Sequence, residues 1–234
     1  MKLNNRFMCF SPPVMMATFV IEVSLLLYTL FRYKLTTVTR LAALLLFFLA
    51  TFQLAEFMSC GSTDYQTWSV IGFVAITALP PLCIHMILAI AGKNRPVIKI
   101  GSYILAVMFA GVFLLPNAFV NHQCAGNYVI FKLTNGLSDA YFVYYYGLLF
   151  IGLALAMYYA VHASLHVRKA LSYQVVGYLS FLLPTATVNI AQPETTAAIP
   201  SIMCGFAVIY AIIIVFGILP HYKQTPAFPT NKAK

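Results

Sequence analysis

Apolar positions along this chain fall in long blocks and do not alternate. Seven such blocks follow one another with short gaps, each near the roughly 20 residues a helix needs to cross a bilayer. They predict spans at about 12–32, 38–59, 67–92, 97–115, 139–163, 170–190 and 197–219. The expected fold class is all-α, a seven-transmembrane helix bundle forming one domain over residues 1–221. The one long connection, 116–138, is rich in strand formers from Tyr128 to Thr134 and runs into Asn135-Gly136, which predicts a short hairpin. The tail, 222–234, contains Pro226 and Pro229 and is expected to be disordered.

The third block, Trp68 to Lys93, departs from the others. Its middle holds Pro80-Pro81 and one ionisable group, His85. Each proline lacks an amide donor, so the carbonyls of Ile76 and Thr77 lose their helical partners. A carbonyl freed in lipid must be satisfied within the protein. Thr77, Cys83, His85 or a neighbouring helix would supply the bond. This block is therefore expected at the axis of the bundle, away from lipid.

Composition agrees: 62% of residues are apolar and only 8% charged, against about 25% charged in soluble domains. The net charge of +9 does not indicate nucleic acid, because the basic residues collect at one set of helix ends. Eleven of the fourteen fall there: Arg32, Lys34, Arg40, Lys93, Arg95, Lys99, Arg168, Lys169, Lys223, Lys232 and Lys234. Lys2, Arg6 and Lys132 lie on the other side. By the positive-inside rule the N-terminus is outside and the C-terminus cytoplasmic, in a plasma or inner membrane. The first block is too long for a cleavable leader and is read as a signal anchor. Asp64, Asp139 and Glu194 fall on the outer side, Glu56 near it, and Glu22 in the middle of the first span.

Ionisable groups inside a span are costly and usually face the bundle interior. Glu22 shares a helix stripe with Thr18 and Thr29, and Gln53 shares one with Glu56 and Cys60. The fifth span opens with Asp139 and continues through Tyr141 and Tyr144. With His85, these residues form the candidate ligand set: Glu22, Gln53, Glu56, His85, Asp139, Tyr141 and Tyr144. Interhelical hydrogen bonding and an aromatic belt are the plainer alternatives. Cys9, Cys60 and Cys124 fall on the outer side; one disulfide among them is expected, with Cys60–Cys124 the first choice. His162 and His166, four apart, could bind zinc with His85 as a third ligand. They sit at a basic helix end with no cytoplasmic acid, so an interfacial role is expected and no metal is assigned.

Seven helices with this orientation raise the rhodopsins, but the last block contains no lysine for a retinal Schiff base, and no other cofactor is implied. Receptor signatures coupled to G proteins are also missing: the third block ends Ala91-Gly92-Lys93, and the last block lacks Asn-Pro. FFLATFQLAEF followed by WSVIGFVAITALPPLCIHMILAIAG resembles the seven-helix sensory regions that precede bacterial histidine kinases and cyclases. Met8-Cys9-Phe10-Ser11, with Gln-x-x-Glu in the second span, is similar to small uncharacterised bacterial membrane proteins that begin in this way. The first resemblance implies a sensor module. With no kinase or cyclase domain after Leu219, its output would pass to a cytoplasmic or membrane partner. The reading is a small-molecule-binding, sensor-type membrane protein without catalysis of its own, its pocket in the outer half. A small transporter or channel, a metal-dependent hydrolase of the ceramidase type, and an accessory subunit of a membrane complex are the alternatives.

Overall fold

The computed structural model describes residues 12–116, 118–125, 128–134 and 136–222. Seven helices are long and apolar enough to cross a membrane. Helix α1 spans Pro12–Arg32 and α2 spans Thr37–Gly61. The third span is two helices, α3 (Tyr65–Thr77) and α4 (Leu79–Ile90). Helix α5 (Pro96–Phe113) leads into the hairpin β1 (Phe119–Ala125) and β2 (Tyr128–Leu133). Then come α6 (Leu137–His162), α7 (Leu165–Ala191) and a 3-10 turn at Pro193–Ala198. The last span is α8 (Ile199–Ile212), a π segment (Ile213–Ile218) and α9 (Leu219–Tyr222).

Local chemistry sets these ends. Thr36 caps α2 by accepting from the Thr39 amide at 3.2 Å, and Asp64 caps α3 by accepting from the Thr67 amide at 3.2 Å. Helix α4 ends on Gly92, whose φ of 62° lets the Lys93 amide bond back to the Leu88 carbonyl at 2.9 Å. Ser164 is extended and begins α7 at Leu165, so Arg168 and Lys169 lie in its first turns and not in a linker.

The third span is the most buried, with 78% of its apolar 18-residue stretch inside the bundle, as an axial position requires. It packs against α2, α5 and α6, and α8 closes the ring against α1, α2 and α7. Gly72 brings α3 close to α2: a Cβ there would meet Ala55 Cβ at 3.1 Å. Helix α5 is peripheral and shows Val107 and Met108 outward, and α6 shows Phe150. Such exposed apolar side chains suit a lipid environment.

The hairpin lies over the end of the bundle opposite Arg32, Lys93 and Arg168. These two ends are called here the hairpin end and the basic end. Strand β2 falls where expected, but β1 was hidden by the polar run Asn121-His122-Gln123. Ala125 pairs with Tyr128, so the strands connect through residues 126–127 and not at Asn135-Gly136. Gly136, at φ 80°, instead starts α6. A disulfide joins Cys60 to Cys124 and ties the hairpin to the end of α2. Cys9 and the tail from residue 223 lie outside the described residues.

Candidate ligand cavity and its polar surroundings

A cavity of about 100 Å³ lies beneath the hairpin, between α3, β2, α6 and α8. Six of its thirteen lining residues are aromatic: Phe73, Phe131, Tyr141, Phe142, Tyr145 and Tyr146. Met203 and Cys204 close its inner side. Phe73 is held by edge contacts to Phe113, Phe119 and Phe131, with ring centroids 5.1–5.2 Å apart. Ser138 is exposed and Phe142 is 50% exposed, whereas Phe73 and Cys204 are buried. The mouth is therefore on the flank of α6, near the hairpin end, and faces sideways.

Tyr141 connects this cavity to the proline break. Its hydroxyl lies 3.0 Å from that of Thr77, which donates in turn to the Phe73 carbonyl at 2.6 Å. The carbonyl of Thr77, deprived of a donor by Pro81, accepts from the Tyr144 hydroxyl at 2.7 Å. The partner thus comes from a neighbouring helix, one of the possibilities the sequence left open. The same device recurs in the last span. In the π register the carbonyl of Val215 would pair with residue 220, which is proline. The Tyr33 hydroxyl takes that carbonyl at 3.0 Å.

The two intramembrane acids, on separate stripes in the sequence, come together. Glu22 and Glu56 are within electrostatic reach of each other, and both act on Cys204. Glu22 is 0% and Glu56 1% exposed, with Gln53 buried on the same stripe. Ser201 bonds Glu56 and accepts the Val129 amide of β2 at 3.3 Å. The acids belong to α1 and α2 and do not line the cavity.

The other candidates fall elsewhere. His85 is half-buried and meets the Tyr103 hydroxyl at 3.1 Å, beside a groove that includes Lys99. Asp139 is exposed. Of the seven proposed ligand residues, only Tyr141 touches the cavity, and Tyr144 supports it through Thr77. His162 bonds its own helix at the Tyr158 carbonyl, and among the described residues no three His, Cys, Asp or Glu side chains gather for a metal.

A second polar cluster lies deeper and was not anticipated. The Tyr210 hydroxyl meets Cys83 Sγ at 3.4 Å and accepts from the Gln174 amide. Gly177 gives the Tyr210 ring its space, and Gly152 does the same for the Tyr178 hydroxyl; a Cβ at either glycine would collide. Gln174, an amide inside the sixth span, was the available signal in the sequence. A small void of about 20 Å³ between Leu49, Tyr145 and Tyr210 adjoins the outer cavity at Met203 and Cys204.

No protein-family model matches the chain, and no curated protein matches it either. The chain is a multi-pass membrane protein, with seven apolar helices and a disulfide at the hairpin end among its described residues.

Proposed function

We propose that this membrane protein binds a small apolar molecule, one aromatic ring in size, in the cavity beneath the hairpin, and that it acts as a sensor-type module. The ring-lined wall is the observation that carries this reading. Dry cavities of this order, walled by apolar side chains, take up benzene-sized molecules. The sideways mouth suits a ligand that partitions into the bilayer before it binds. Charge asymmetry puts the hairpin end outside, so the ligand arrives from the extracytoplasmic half.

Tyr141 supplies the route for a signal. It touches the cavity and, through Thr77, the break between α3 and α4. A ligand that displaces Tyr141 removes a hydrogen bond from the break and biases the angle between the two half-helices. The α4 end then passes the change to the basic end, where a partner would read it. Among the described residues no acid or imidazole lines the cavity, which favours binding over hydrolysis at this site.

The thiol of Cys204 reports occupancy. In the full-length protein in nanodiscs, toluene, phenol and indole are tested for slowing alkylation of Cys204 by N-ethylmaleimide, read by peptide mass spectrometry. At least one should slow Cys204 and leave Cys83 unchanged. Met203→Trp, which fills the cavity, should abolish the protection. Labelling of Cys204 indifferent to all three compounds would refute the reading.

A further inference from the structure

The basic end of the bundle contains a cleft of about 360 Å³ between the start of α7 and the end of the last span. Arg168, Lys169, Ser172, Tyr173 and His221 line it. Its floor is built, not incidental. The π segment brings Gly217 against Tyr173, where a Cβ would meet the ring at 2.9 Å. The Gly217 carbonyl accepts from His221 Nδ1 at 2.7 Å, and the Tyr173 and His221 rings pack with centroids 5.1 Å apart. Two fixed rings thus back two cations and a hydroxyl.

No described carboxylate answers those cations. Glu22 and Glu56 are buried within spans, and Asp64 and Asp139 belong to the hairpin end. The cleft also continues into an apolar track. Leu165 and Val176 form its sides, and Leu179 and Leu183 prolong the exposed stripe of α7 at spacings of three and four. A charged mouth at the end of a span, above an outward apolar stripe, fits a molecule with an anionic head and a hydrocarbon tail. A free anion would use only the head of the site.

We infer that the cleft of Arg168, Lys169, Ser172, Tyr173 and His221 binds the phosphate headgroup of an anionic phospholipid, whose acyl chain lies along Val176, Leu179 and Leu183. Arg168 and Lys169 supply the charge, and the Ser172 hydroxyl adds a donor. The site is independent of the ring-lined cavity, so either can fail alone.

Native mass spectrometry of the detergent-purified full-length protein tests it, with phosphatidylglycerol and phosphatidylcholine of identical acyl chains offered in equal amounts. Phosphatidylglycerol should be retained in preference. Arg168→Gln and Lys169→Gln should each lower its retention about fivefold, with the melting temperature unchanged. Lys34→Gln with Arg40→Gln, at the same end but outside the cleft, should leave retention as in the wild type. The inference is overturned if both lipids are held equally, if the cleft variants retain the lipid fully, or if the control pair weakens it as much. Displacement of the lipid by an equal concentration of inorganic phosphate would also overturn it, because the site would then be one for a free anion.

Discussion

Two carbonyls left without helical donors by proline are each satisfied by a tyrosine from another span: Thr77 by Tyr144 and Val215 by Tyr33. An orphaned buried carbonyl costs about 1–3 kcal/mol, so Tyr144→Phe should destabilise the protein by about that much. Tyr33→Phe should cost less, because Tyr33 lies at the basic end within reach of water. Thermal unfolding in detergent measures both, and equal effects would contradict this assignment. The glycines make a second residue-scale prediction. Gly152→Ala sets a methyl against the Tyr178 hydroxyl, and overpacking of this kind costs about 1–3 kcal/mol. Adding Tyr178→Phe should recover much of the loss. Little of this was legible in the sequence, since partners 67 and 182 residues apart leave no periodic trace. Glu22 and Glu56 were conspicuous as intramembrane acids, but nothing local said that α1 and α2 bring them within electrostatic reach of each other.

At the scale of elements the sequence was far more informative. A bilayer imposes length and apolarity on each span, and both are read directly from composition. The seven helices accordingly end within a few residues of the expected positions, α7 excepted, where Ser164 starts the helix five residues early. Pro80-Pro81 marked the break in the third span and the need for a donor to the Thr77 carbonyl. That coupling can be measured. Pro81→Ala restores an amide to position 81, which can then reach the Thr77 carbonyl. In that background Tyr144→Phe should cost much less than in the wild type, and undiminished cost would show that the break does not depend on the missing amide. Strand β1 escaped notice because its polar centre pairs with β2 and not with a buried face, so the apolar alternation that betrays a strand is absent. The candidate ligand set drew on intramembrane polar groups and on the tyrosines of the fifth span. It therefore gathered Glu22, Gln53 and His85 together with Tyr141, and of these Tyr141 touches the cavity, whose wall also takes in Phe73 and Met203, which carry no polar signal.

The whole molecule is a bundle closed at one end by a covalently held lid. The Cys60–Cys124 bond spans 64 residues of chain, and a closed loop of that size is worth up to about 4 kcal/mol in the chain-entropy account. Cys60→Ser with Cys124→Ser should lower the melting temperature and speed alkylation of Cys204, because the hairpin that roofs the cavity then loses its covalent tie to α2. Unchanged Cys204 reactivity would mean that the hairpin does not govern access. The central claim is that the space under this lid receives a one-ring apolar ligand. Anomalous diffraction from crystals soaked in iodobenzene tests it most directly. The account predicts an iodine peak between Phe73, Tyr145 and Met203 that is lost in Met203→Trp; iodine found only on the outer surface of the bundle would contradict it.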